Sequence, residues 1–216
     1  RAMFDALTGL PNRTNLIERL DSELAALGSR QIAVLFIDLD GFAHVNDTLG
    51  HEAGDQMLAQ VGQRLRANTR PDDLVARLGG DEFVLALLRL EDTEQAAQAA
   101  RRVIDALAAP FTVAGAEVFI AGSIGVAVAP AHGLSAAELL RNADLALYRA
   151  KAQGRGSLCF FEPALHQAVL ARATLDAELR LALRNDEFVL HYEPLIDGRD
   201  GRVRGAEALI RWNHPA

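Results

Sequence analysis

The chain is short of cysteine, tryptophan, tyrosine and proline, and it carries no excess of positive charge. Its 216 residues include one Cys (Cys159), one Trp, two Tyr and seven Pro. A single cysteine excludes an internal disulfide and suits a reducing compartment. Lys and Arg number 22 against 29 Asp and Glu, a formal net charge of −7. Such a balance offers no overall field to a nucleic-acid backbone, so any phosphate ligand must be met by a local cluster. No apolar run is long enough to span a bilayer, and there is no signal-peptide pattern. The expectation is a cytoplasmic location, on the cytosolic side of any membrane anchor, with neither membrane nor nucleic-acid polymer as partner. Repeats and low-complexity segments are also lacking. Half of the residues are hydrophobic, enough for one domain with a sizeable core and a smaller piece. The chain opens on Arg1, which predicts a segment of a longer protein.

Strand and helix patterns alternate. Residues 31–38 (QIAVLFID) read as a buried strand. Asn46 and Asp47 are candidate caps for a helix with apolar positions Leu58, Val61 and Leu65, broken at Pro71–Asp73. A strand Leu74–Leu78 and a strand Glu82–Leu88 form a hairpin, followed by an Ala-rich helix over 93–109. Short β runs surround Gly115, and AGSIGVAVAP reads as a further strand. Ser135 caps a helix that Gly154 stops. This predicts an α/β (α+β) fold, a mixed central sheet with helices on both faces. Residues 162–184 read as one amphipathic helix, with β-like runs EFVLHYEPLI and RVRGAEALIRW beyond it. The expected boundary lies near residue 162.

The hairpin tip is ARLGGDEFVLAL. Gly79 and Gly80 allow backbone angles closed to other residues and let a ligand approach the main chain. Asp81 and Glu82 follow at once; on a continuing strand they face opposite ways. One of them can meet a carboxylate from the end of FIDLD, and such a pair with backbone oxygens suits Mg²⁺. Magnesium in turn binds phosphate oxygens and supports phosphoryl or nucleotidyl transfer. A GGDE taken alone is an ordinary polar turn.

Its surroundings are specific. RLGGDEF at 77–83, DALTGLPNR at 5–13, FIDLDGFAHVND at 36–47, GHEAGD at 50–55 and ALYRAKAQGR at 146–155 stand in order. Together they resemble the GGDEF family of diguanylate cyclases, which join two GTP into cyclic di-GMP, and the resemblance covers roughly residues 1–160. It implies a nucleotide-cyclase-like fold and a Mg²⁺ (or Mn²⁺) site of Asp38, Asp81 and the Leu39 carbonyl. It implies that Asp81 or Glu82 lies near the 3′-hydroxyl that loses its proton. Gly41, Phe42 and Ala43 match the loop whose N–H groups hold the triphosphate, with Gly80 at the hairpin tip close to the phosphates. Asn46 and Asp55 match the guanine readers, and Lys151 and Arg155 match the cations facing the terminal phosphate. Each domain is a half-site, so catalysis implies an antiparallel homodimer. RPDD at 70–73 reproduces an RxxD pattern for inhibitory product, with Arg70 and Asp73 as ligands and Arg101 or Arg102 as a third contact.

Two departures matter. DGFA replaces the usual DxFK, so Ala43 stands where a lysine is common, and slow turnover is expected from a loss of about 2–4 kcal/mol of transition-state stabilisation. The stretch 186–216 resembles the opening of an EAL phosphodiesterase domain. There Glu207 matches the first metal ligand, Arg211 a phosphate contact, and Glu193 stands where glutamine is commoner. A (β/α)₈ barrel takes about 250 residues, so the expectation is an incomplete EAL barrel, unable to hydrolyse cyclic di-GMP, with Leu209 and Trp212 unburied. The expected organisation is GGDEF domain 1–161, linker helix 162–184 and EAL start 185–216, from a GGDEF–EAL tandem whose remaining EAL domain is a partner. Two other functions fit: a regulatory domain that binds GTP or cyclic di-GMP and controls the EAL domain, or a scaffold that dimerises it.

Overall fold

The structure is a computed structural model and describes residues 3–215. Residues as far as Leu165 form one compact unit and those from His166 onward a second.

In the first unit, α1 (Arg13–Ala25) starts at Asn12, whose side chain accepts a hydrogen bond from the Asn15 N–H. Its buried stripe is Leu16, Leu20 and Leu24. β1 (Gln31–Asp40) leads to α2 (Phe42–Leu49) and α3 (His51–Ala67). β2 (Leu74–Gly79) and β3 (Glu82–Leu90) form the hairpin, followed by α4 (Thr93–Ala108). The small β4 (Phe111–Val113) and β5 (Ala116–Val118) pair with each other across Ala114 and Gly115, both at positive φ, the pattern of a tight hairpin turn. β6 (Ala121–Ala129), α5 (Ala136–Gln153) and β7 (Leu158–Phe160) complete the unit.

Among the described residues, five strands form the main sheet in the order β2-β3-β1-β6-β7. β6 and β7 run parallel; the other neighbours are antiparallel. Side chains alternate across a strand, and β1 divides cleanly. Ile32, Val34 and Phe36 enter a core with α1 and α5, while Ala33, Leu35, Ile37 and Leu39 enter another with α3 and α4. Burial on both faces explains why QIAVLFID is a continuous apolar run. The mixed sheet with helices on both faces is the architecture expected. β1 and β3 lie in register with Asp38 opposite Glu82, and β1 and β6 with Asp38 opposite Ser123.

Asn46 and Asp47 are not caps. Both lie inside α2, and the break between helices falls at Gly50, which has φ 87° and caps α3. Asn and Asp favour caps because their side chains mimic a peptide acceptor, but here Gly41 at φ 85° has already begun the helix. Neither α1 nor the three-residue β7 was anticipated from the sequence.

The second unit takes α6 (Pro163–Arg184) beyond the division and ends in an antiparallel hairpin, β8 (Phe188–Ile196) and β9 (Val203–Trp212). The amphipathic pattern expected over 162–184 involves side chains at 165–174 and 176 that lie outside the described set. Leu209 and Trp212, expected unburied, are half-buried. Trp212 packs its ring near Phe188 and His214 and donates from Nε1 to Glu187 at 3.1 Å.

Candidate active site

The site grows from the end of β1. Because alternate residues face alternate ways, Asp38 and Asp40 emerge on the α5 side, while Leu39 buries its side chain in the opposite core and leaves only its backbone for the site. Cross-strand pairing then places Glu82 beside Asp38. Asp81 is one residue earlier, in the turn itself.

That turn is held by an arginine. Arg77 Nε and Nη2 donate to the Gly80 carbonyl at 3.1 and 2.7 Å, and its Nη1 meets both oxygens of Asp5 at 3.1 Å. Asp5 also accepts from the Thr8 N–H and hydroxyl. Burial pushes the Asp5 carboxyl up, but these hydrogen bonds and the Arg77 charge outweigh it and hold it below the usual carboxylate value. Gly79 and Gly80 have φ of 148° and 51°, and nothing lies within 4 Å of where a Cβ would project. The tip is open to a ligand.

The carboxylates crowd one another. Asp81 is raised by burial and then by the Asp38 charge, against its own backbone hydrogen bond, Lys151 and Arg77. Glu82 is raised by burial, then by Asp144, Asp38 and Asp81, with Arg13 opposing. Lys151, in the last turn of α5, places Nζ 2.7 Å from Asp38 Oδ1. Arg155 lies just past that helix, with Nε 3.7 Å from Asp40 Oδ1.

Asp40 was not singled out from the sequence, yet it organises the far side. It is 6% exposed, accepts from the Ser123 hydroxyl at 2.6 Å and accepts from the Gly156 N–H at 3.1 Å. It thereby fixes the loop that carries Arg155. The signal was available: Asp38 and Asp40 share a strand face.

Gly41 opens α2 at the helix end where N–H groups are free. Ala43 is exposed there, Phe42 is buried, and no cation stands in the loop. Asn46 on α2 is half-buried and Asp55 on α3 exposed. A Cβ at Gly54 would overlap Asn46 Oδ1 and come within 3.2 Å of Phe42 Cζ. Gly54 therefore makes the room in which Asn46 lies beside the residue preceding Asp55.

A second recess, about 200 Å³, is lined by Arg70, Asp73, Gln95 and Arg102 among others. Of the two arginines considered from α4, Arg102 joins it, while Arg101 pairs with Glu94 at 3.2 Å on the surface. Asp73 has structural work of its own: one oxygen accepts from the Leu88 N–H and the other from the Arg70 N–H. On the second unit, Glu207 pairs across the hairpin with Glu193, and Arg211 with Val189; Glu207 and Arg211 are exposed.

A profile described as "Diguanylate cyclase, GGDEF domain" matches residues 2–157. The chain belongs to the GGDEF diguanylate cyclase family. An EAL domain profile matches residues 176–216, so a GGDEF domain is followed by the start of an EAL domain. Over 216 residues the chain is 44% identical to the bifunctional diguanylate cyclase/cyclic di-GMP phosphodiesterase MucR of Pseudomonas aeruginosa, covering 99% of this chain and 31% of MucR. It is 40% identical to the cyclic di-GMP phosphodiesterase PdeR of Escherichia coli, covering 99% and 32%. The chain thus spans about a third of these relatives. Among solved structures, the GGDEF domain of TpbB (YfiN) from P. aeruginosa superposes with a TM-score of 0.75 at 41% identity, covering 77% of this chain and 99% of that one. The GGDEF domain of DgcB from Caulobacter crescentus, in complex with cyclic di-GMP, gives 0.68 at 28% identity, covering 74% and 96%.

GGDEF cyclases are generally dependent on a divalent metal. The donors here fit one: Asp38 and Asp81 are near enough for the charge of one to raise the other, and oxygen-only donors suit Mg²⁺, which keeps several of its waters and takes one or two carboxylates. No cluster of three or more His, Cys, Asp or Glu able to hold a metal is found among the described residues. No described helix is long and apolar enough to cross a membrane.

Proposed function

We propose that residues 1–161 form a diguanylate cyclase domain, with 162–184 as linker helix and 185–216 as the start of an EAL domain. The observation that carries this reading is the meeting of Asp38 and Asp81 beside Lys151 at an open glycine turn. Two such domains in an antiparallel homodimer each hold one GTP. The 3′-oxygen of one GTP loses its proton and bonds to the α-phosphorus of the other; the bond from that phosphorus to the β-phosphate oxygen breaks and pyrophosphate leaves. Repetition at the second junction closes cyclic di-GMP and releases a second pyrophosphate.

Asn46 and Asp55 offer an amide and a carboxylate to the guanine edge. The Gly41–Ala43 backbone and the N-terminus of α2 hold phosphate oxygens, and Gly80 lets the tip approach them. Lys151 and Arg155 balance charge on the leaving pyrophosphate. Glu82, its proton affinity raised by burial and then by the charges of Asp144, Asp38 and Asp81, stands near the attacking hydroxyl to take up its proton. Mg²⁺ or Mn²⁺, held by Asp38, Asp81 and the Leu39 carbonyl, supplies Lewis-acid stabilisation of phosphate charge. Arg70, Asp73 and Arg102 bind the product and restrain turnover. GTP chemistry places the domain in the cytosol, with the remaining EAL domain as its partner in the parent chain; Glu207 and Arg211 are the first metal ligand and a phosphate contact of that domain.

Ala43 supports a second reading, in which GTP or cyclic di-GMP is bound without efficient turnover and controls the EAL domain. The test is incubation with GTP and Mg²⁺ beside an Asp81→Asn control, with nucleotides resolved by chromatography. Cyclic di-GMP from the unmutated chain alone supports the cyclase. GTP bound but unconverted supports the regulatory domain.

A further inference from the structure

Lys151 is expected at the triphosphate, but it sits on the metal ligand. Its Nζ is 2.7 Å from Asp38 Oδ1, with the lysine side chain 36% exposed and the carboxylate 15%, a charge-assisted hydrogen bond in a partly desolvated place. The neighbouring cations are engaged elsewhere. Arg77 is tied to Asp5 and the Gly80 carbonyl, Arg155 lies against Asp40, and Arg13 opposes the charges of Glu82 and Asp144. The ammonium on Asp38 is therefore that of Lys151, anchored in a helix end that favours a cation.

We propose that Lys151 is the counter-ion of the metal pocket while no nucleotide is bound, and that it passes to the triphosphate when a divalent cation takes Asp38. This rests on the reading of Asp38 and Asp81 as metal ligands. One ammonium cannot serve both partners. With Lys151 on Asp38, a lone dication meets a carboxylate already neutralised, and a lone triphosphate must draw the lysine away and leave Asp38 and Asp81 repelling each other. Metal and triphosphate together relieve both costs, so each raises the affinity for the other by the same factor. The pocket stays closed to stray divalent cations and opens to the metal–nucleotide complex. Lys151 thus adds a gating role to its phosphate contact.

The experiment titrates Mn²⁺ into the full 216-residue chain without nucleotide, counting free aqueous Mn²⁺ by electron paramagnetic resonance. Lys151→Met keeps the apolar stem and removes the charge; Asp38→Asn removes the ligand. Lys151→Met is expected to bind Mn²⁺ about tenfold more tightly than the unmutated chain, within the roughly 5–150-fold of ordinary couplings, and Asp38→Asn to lose binding. Damage to the fold does not raise metal affinity, so the gain is diagnostic. Equal or weaker binding by Lys151→Met, with loss in Asp38→Asn, overturns the exchange and leaves the metal reading standing. Binding that Asp38→Asn does not alter, or no binding by any of the three, overturns the metal reading and the exchange with it.

Discussion

Arg64 makes a quantitative test of how the helices are fastened around the site. It projects from α3 to the end of α4, where Nη1 donates to the Ala106 and Ala109 carbonyls at 2.9 and 2.6 Å and Nη2 to the Pro110 carbonyl at 2.9 Å. Its guanidinium lies 3.6 Å from the centre of the buried Phe111 ring. Burial pulls its pKa down, yet an arginine stays charged. Replacement by Met keeps much of the stem and removes the donors. The bonds to Ala109 and Pro110 are exposed, so water re-satisfies those carbonyls at little cost. Ala106 is part-buried; losing a charged donor there costs about 1.5–3 kcal/mol. The ring contact adds about 0.5–1 kcal/mol, and the cation at the end of α4 about 0.3–1 kcal/mol. The total is about 2–5 kcal/mol. With a urea slope of about 2 kcal/mol per molar, the midpoint falls by roughly 1–2.5 M at unchanged slope. The assay is urea unfolding followed by far-ultraviolet circular dichroism, with Arg101→Met as the comparison. Arg101 pairs with Glu94, both about 60% exposed, and its loss should cost about 0.5 kcal/mol or less. A shift for Arg64→Met no larger than that for Arg101→Met would refute the reasoning.

Four further outcomes are expected. Ala43→Lys restores a cation at the phosphate loop and raises kcat by about 10²–10³-fold if a preorganised donor is what is missing; an unchanged kcat in steady-state assays counts against the cyclase reading. Arg70→Ala raises the cyclic di-GMP concentration needed for half-inhibition with little loss of stability, whereas Asp73→Ala also lowers the urea midpoint because Leu88 N–H loses its acceptor; equal inhibition in Arg70→Ala removes the product site. His132 accepts the Val128 N–H at Nδ1, and burial holds its pKa below the ordinary 6.5. The unfolded chain therefore takes up the proton first, so this contribution to stability is complete above 6.5 and is lost as pH falls below it; His132→Asn should flatten the melting-temperature profile in that window. Gly125→Ala sets a Cβ against the backbone of α5 at the Ala143 carbonyl and Leu147 N–H, and helix displacement should cost about 1–3 kcal/mol or more, read as a lower melting temperature.

The parts legible in the sequence are those where local pattern and tertiary use agree. Ser135 and Gly154 bound α5 because a hydroxyl acceptor and a glycine suit helix ends in any context. β1 was legible because burial on both faces demands apolar residues throughout. Asn46 misled, since its use is set by Gly54, eight residues on and across a helix junction, and not by its own preference for caps. β7 could not be read, being three residues whose partner β6 is reached only across α5. At the site, motif order located Asp38, Asp81, Lys151 and Arg155. It did not show that both cations lie against β1 carboxylates, because that depends on where α5 ends over the sheet.

The alternation along β1 ties chemical competence to correct pairing. Ile37 and Leu39 belong to one core, while Asp38 and Asp40 occupy the other face at the strand's end. A slip of one residue against β3 or β6 would turn both carboxylates into the α3–α4 layer and expose Leu39. Such a chain would bury two unpaired charges and could not persist as a folded competitor. Misregistered molecules are thereby eliminated by their own instability before they can bind nucleotide in the wrong geometry, and folding acts as the proofreader of the active site.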